Sequence, residues 1–154
     1  MDKNKVLFIS GPNLNLLGKR EPNIYGTSSL QEIHKNLENL ALEANLILSC
    51  RQSNSESEII SWIHSAQKDF QAIVINPAAY THTSVSIRDS LIIYKGIIIE
   101  IHISNPYKRE DFRHKSFISG VSSGIIAGFG EKSYYLALNA VKILLTEDKL
   151  NENN

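Results

Sequence analysis

Five short apolar runs, Val6–Ser10, Leu46–Cys50, Ala72–Ile75, Ile97–Ile103 and Gly124–Ala127, alternate with stretches whose apolar residues recur every three or four positions. Runs this short, rich in β-branched residues and apolar throughout, fit parallel strands buried on both faces. The intervening patterns predict helices. The first carries Leu30, Ile33, Leu37, Leu40, Ala41 and Ala44 on one stripe, behind the capping box Ser29-x-x-Glu32. The second carries Ile59, Ile63, Ala66 and Phe70, with Ser53-x-x-Glu56 and Ser55-x-x-Glu58 as competing starts. The third runs from about Thr83 to Tyr94. The last, about Ser133 to Leu145, is apolar almost all round, as a helix covered on more than one side would be, and so hints at a subunit interface.

Strands alternating with helices predict an α/β fold, a flavodoxin-like three-layer sandwich around a five-stranded parallel sheet with right-handed crossovers. No repeat, linker or low-complexity tract divides the 154 residues, so one domain spanning 1–154 is expected, with a polar, frayed tail at 147–154. Sixteen Lys and Arg balance sixteen Asp and Glu, so no global field draws the chain to nucleic acid or to an acidic membrane. No apolar stretch approaches the roughly 20 residues of a membrane span. The apolar run after the charged Met1–Lys5 segment is too short for a signal peptide, which makes a cytoplasmic location the default. The single cysteine, Cys50, has no disulfide partner and reads as a buried structural thiol.

Function concentrates in the stretch Gly11–Gly26, GPNLNLLGKREPNIYG, which leaves the first strand. Strand-to-helix connections usually take about 2–6 residues, so sixteen mark a lid or binding loop. It carries Asn13, Asn15, Lys19, Arg20, Glu21 and Tyr25, with Gly18 and Gly26 as hinges, and its chemistry suits a flap closing cations and a phenol over an anion.

In an open parallel sheet, ligands sit at the carboxyl ends of the strands. Gly11-Pro12-Asn13, Asn76-Pro77 and Ser104-Asn105-Pro106 all fall there. Each alone is ordinary turn chemistry; three on one edge favour a polar pocket. In the fourth strand Glu100, His102 and Ser104 alternate onto one face, so a carboxylate can orient the imidazole two residues away. Alone, the pair fits a buried structural contact as well as a catalytic one; its place at the carboxyl end favours catalysis. His82, in Tyr80-Thr81-His82-Thr83-Ser84 before the third helix, lies beside Asn76, which favours a ligand contact over mere exposure. Arg109 and Arg113 are four apart and are expected to share a helical face toward the pocket. His34 and His64 read as surface residues.

Metal binding fits poorly: His82, His102 and Glu100 lack a local ligand motif, and a nearby guanidinium opposes a cation. There is no G-x-x-x-x-G-K-[ST] and no G-x-G-x-x-G after the first strand. The acidic pocket of a phosphorylated receiver domain is missing too.

Taken together, the flap, Arg51-Gln52-Ser53-Asn54-Ser55-Glu56, NPAAYTHTSVSIRD (Asn76–Asp89), EIHISNPYKREDFRHKS (Glu100–Ser116) and GFG (Gly128–Gly130) closely resemble type II 3-dehydroquinate dehydratase from about Val6 to Leu145. The resemblance implies a flavodoxin-like homododecamer, a tetramer of trimers, that removes water from 3-dehydroquinate to give 3-dehydroshikimate. It implies anti elimination through an enolate, with no metal, cofactor or Schiff base. By the same likeness Tyr25 is the base at C2, and Arg20, with Arg113 adding to it, favours the phenolate. Water held near Asn13 supports the enolate, and His102, oriented by Glu100, protonates the leaving hydroxyl. Asn76, Ile103 and Ser104 then hold the substrate carboxylate, His82 and Arg113 the ring hydroxyls, and Asp89 reaches a neighbouring subunit's site. Pro77-Ala78-Ala79 stands where some relatives have small residues including glycine. The alternative is a catalytically inactive flavodoxin-like ligand-binding protein, against which Arg20, Tyr25, Glu100 and His102 all speak.

Overall fold

The computed structural model describes residues 4–152. Five strands, β1 (Lys5–Ser10), β2 (Ile47–Gln52), β3 (Ala72–Asn76), β4 (Ile97–His102) and β5 (Gly124–Ala127), form one sheet in the order β2-β1-β3-β4-β5. Every pairing is parallel. The four longer helices are α2 (Leu30–Glu43), α3 (Glu56–Asp69), α4 (Val85–Ile93) and α5 (Lys132–Glu152); a one-turn helix, α1 (Pro22–Tyr25), sits inside the flap.

Side-chain alternation along the strands divides the interior into two cores. Val6 and Phe8 of β1 pack with Ile33 and Leu37 of α2 and with Tyr134, Ala137 and Val141 of α5. Leu7 and Ile9 point the other way, toward Ile59 and Ile63 of α3 and Ile87 and Leu91 of α4. Both cores are almost fully shielded from solvent, and each fully buried Leu or Ile contributes about 1.5–3 kcal/mol. The result is the expected three-layer α/β sandwich.

The helix starts follow from local sequence. At α2, Ser29 Oγ accepts from Glu32 N–H while the Glu32 carboxylate accepts from Ser29 N–H, the reciprocal cap that the spacing predicts. Between the two candidate starts of α3, Ser55 is the cap, accepting from Glu58 N–H at 3.3 Å. Ser53 instead accepts from Ser55 N–H and shapes the turn ahead of it. The last helix is longer than its apolar stretch: α5 continues to Glu152, so 147–152 is helical rather than frayed. Residues 153 and 154 of that tail, and residues 1–3 of the charged Met1–Lys5 segment, lie outside the described residues. No helix among the described residues is long and apolar enough to cross a membrane.

Two residues sit differently from expectation. Cys50 is half-buried, because β2 is an edge strand, and burial still pushes its thiol up to about 12. His34 is half-buried with Nε2 enclosed and unpartnered, and burial lowers its pKa, whereas His64 is exposed as predicted.

Candidate active site

The strand register fixes the floor of the site. Ser10 pairs with both Gln52 and Asn76, Ile75 with Glu100, and His102 with Ala127, so the chemistry-bearing residues reach one edge together. The strand order places β1 between β2 and β3, so the loops after β1 and β3 diverge and leave a crevice between them.

Gly11 opens that crevice. Its N–H donates to Asn76 O at 2.8 Å, and a Cβ there would stand 2.6 Å from Pro77 O, so only glycine permits the approach. The next residues are held from β2: Gln52 donates to Gly11 O, and Asn54 Oδ1 accepts from Asn13 N–H at 3.0 Å. Tyr80 in turn donates to Asn54 O. Asn13 thereby adopts a left-handed φ of 69°, a conformation asparagine tolerates better than most residues.

Asn76, only 3% exposed, is held in place by its amide. Oδ1 accepts from Ala78 N–H, and Nδ2 donates to the Tyr134 hydroxyl, which also bonds Ser10. Burial raises the Tyr134 phenol to about 12, so it stays a neutral strut. Ala78 holds a left-handed φ of 52°, a conformation that non-glycine residues rarely adopt.

At the end of β4 the expected pair is formed. His102 Nε2 donates to Glu100 Oε2 at 2.5 Å, with Glu100 1% and His102 8% exposed. Burial by itself would raise the Glu100 pKa. Hydrogen bonds from His102, Ser119 and Ser116 overcome it and hold the carboxyl below its usual range. The nitrogen left for chemistry is Nδ1. Ser104 lies past the strand and accepts from the Arg109 guanidinium at 3.2 Å.

The flap closes over this floor. The half-buried Tyr25 ring has the Arg20 guanidinium 5.2 Å from its centroid and that of Arg109 at 5.3 Å. Arg113, expected to support Tyr25, instead lies over Phe112 and pairs with Glu110 at 2.7 Å. Nor do Arg109 and Arg113 share a helix: Pro106–Lys108 and Asp111–Arg113 are separate 3-10 turns, although both side chains line the cavity.

His82 is fixed by Nδ1–H donating to Lys115 O at 2.7 Å, leaving Nε2 toward the cavity; burial lowers its pKa. Asn13, Arg20, Tyr25, Asn76, His82, His102, Ile103, Ser104 and Arg113 all border one cavity of about 90 Å³. Glu100 touches it only through His102. Asp89 is not among its walls; it is exposed on α4 beside Arg88. A roomier groove of about 610 Å³ between α2 and α5 holds none of these residues, so convergence rather than size identifies the site.

Sequence reasoning left out Arg109 as a contact of Tyr25, and Tyr134, Asn54, Ser116 and Ser119 as supports. The only signals for them were the Arg109–Arg113 spacing and the polar motifs after β2 and β4.

Residues 4–142 match the family described as Dehydroquinase class II. A 3-dehydroquinate dehydratase of Prochlorococcus marinus (strain MIT 9215) is 52% identical over 136 residues, covering 88% of this chain and 92% of that protein. One from Thermoanaerobacter pseudethanolicus is 49% identical over 140 residues, covering 91% and 95%. The crystal structure of type II dehydroquinase from Propionibacterium acnes superposes with a TM-score of 0.89 at 43% identity, covering 93% of this chain and 98% of that one. Likeness at this level, over nearly the full length and on the same parallel sheet, leaves one assignment: this chain belongs to the class II dehydroquinase family.

Proposed function

We propose that the chain eliminates water from 3-dehydroquinate, giving 3-dehydroshikimate, with Tyr25 as base and His102 as acid. The observation that carries this reading is the meeting of two sets in one cavity. Tyr25 with two guanidiniums enters from the flap, and His102 backed by a buried carboxylate enters from the sheet.

The substrate ketone makes its neighbouring C2 proton acidic and serves as the electron sink, so the reaction needs no cofactor. Tyr25 takes this proton, and the guanidiniums of Arg20 and Arg109 over its ring place positive charge beside the group on which negative charge is needed. The electron pair moves onto the carbonyl oxygen, and the resulting enolate is stabilised by donors at Asn13, including a water held there. When the enolate collapses, C1–C2 becomes a double bond and the C1 hydroxyl departs as water with a proton from His102. Base on the flap and acid on the floor act from opposite sides, which favours anti elimination. Tyr25 then releases its proton and His102 regains one.

Asn76, Ile103 and Ser104 suit the substrate carboxylate, and His82 Nε2 and Arg113 its ring hydroxyls. Gly18 and Gly26, both at positive φ, are the hinges by which the flap opens for a ligand larger than the closed cavity. Asp89 serves a neighbouring subunit in a homododecamer built as a tetramer of trimers. The exposed Val85, Ile92 and Ile93 on the same helix support a covered face there.

Incubation with 3-dehydroquinate tests the proposal. The conjugated product absorbs in the ultraviolet where substrate does not, and the signal should persist in EDTA and after borohydride treatment. No absorbance change would sink it.

A further inference from the structure

Glu100 is almost fully enclosed yet carries a charge, and two serines that take no part in the proposed proton transfers bond it. Ser119 Oγ donates to Glu100 Oε1 at 2.6 Å. Ser116 Oγ lies 3.1 Å from Oε1 and 3.2 Å from Oε2. The Ser116 hydroxyl is also an acceptor twice over, from Ile118 N–H and from Ser119 N–H, both at 3.0 Å. A hydroxyl has two lone pairs and one proton. With the lone pairs engaged by backbone donors, the proton can only point at the carboxylate.

We infer that Ser116 and Ser119 are positioning residues that keep Glu100 an acceptor, and through it keep a proton on His102 Nε2. The pair then offers its second proton at Nδ1, on the substrate side. A carboxyl that took up a proton would turn His102 into a neutral imidazole, a far weaker acid toward the departing hydroxyl. The serines oppose this because their hydroxyls bond the ionised carboxylate more strongly than the neutral acid. The other charged or titratable groups lining the cavities beside the pair are Arg20, Tyr25, His82, Tyr107, Arg109, Arg113 and His114, whereas the Glu100 carboxylate is bonded by His102, Ser116 and Ser119. This inference rests on the reading of His102 as the acid.

Ser119 is the residue to change, because loss of the Ser116 hydroxyl would also strip two backbone donors. Carboxyl-carbon NMR of Glu100 across pH, with kcat and KM, is measured for Ser119→Ala and Ser119→Thr. Loss of one donor to a charged acceptor should raise the Glu100 titration by about one pH unit and lower kcat about tenfold, with KM within about twofold. Ser119→Thr keeps the hydroxyl and should restore both. An unmoved Glu100 titration, an unchanged kcat, or a threonine variant no better than alanine overturns the clamp. His102→Ala, assayed beside them, separates the two ideas: near-normal turnover there defeats the acid assignment itself, whatever the serine variants do.

Discussion

The guanidinium of Arg109 lies 5.3 Å from the centre of the Tyr25 ring, although 84 positions of chain separate the two residues. Arg20, on the flap itself, stands at 5.2 Å from the same ring. One cation belongs to the same loop as the phenol, and the other to the turns that follow β4.

Removal of either cation should slow proton removal by Tyr25. Arg20→Ala and Arg109→Ala are each expected to lower kcat/KM about 10–100-fold, the loss of roughly 1.4–2.7 kcal/mol from the transition state. Unchanged kcat/KM in both variants would assign activation of the phenol to another group.

Gly11→Ala tests the floor of the crevice. The new methyl meets backbone, Pro77 O at 2.6 Å, and backbone cannot swing aside as a flexible side chain can. Overpacking of this kind costs about 1–3 kcal/mol. In a domain of this size Tm should fall by about 2–4 °C for each kcal/mol. The same push separates Asn13 from Asn76, so kcat should fall as well. Unaltered Tm and kcat would show that the two loops move freely of each other.

The Glu100 carboxyl, held below its usual range by its hydrogen bonds, ties stability to pH. Its contribution is complete above the unfolded value, about 4.3, and drains away as pH falls through the lower folded value. Glu100→Gln removes this dependence and sets an amide among donors. At pH 7 it should cost about 2–4 kcal/mol. The gap between wild type and variant should narrow below about pH 4. Urea unfolding at several pH values measures it; a gap constant down to pH 3 contradicts the assignment.

Most of the fold could be read from the chain because its strands are buried on both faces. Continuous apolar runs have one explanation in a parallel sheet, and the Ser29–Glu32 cap marks its helix without ambiguity. The tail of α5 escaped notice because helices continue on propensity after their apolar stripe ends. In the site, Glu100 and His102 were legible since two-residue spacing along a strand dictates a shared face. Arg109 was not, because two short 3-10 turns break the helical spacing that would have paired it with Arg113. The serines around Glu100 were equally hidden: their loop returns to the strand by backbone geometry, with no periodic pattern to announce it.

Proton removal from C2 by Tyr25 starts the proposed reaction, and solvent exchange at that carbon reads out this step. With 3-dehydroquinate in deuterated water, followed by proton NMR, His102→Ala should still exchange the C2 hydrogen while eliminating little water. Tyr25→Phe should do neither while still binding the substrate. Exchange at the wild-type rate in Tyr25→Phe would contradict the account.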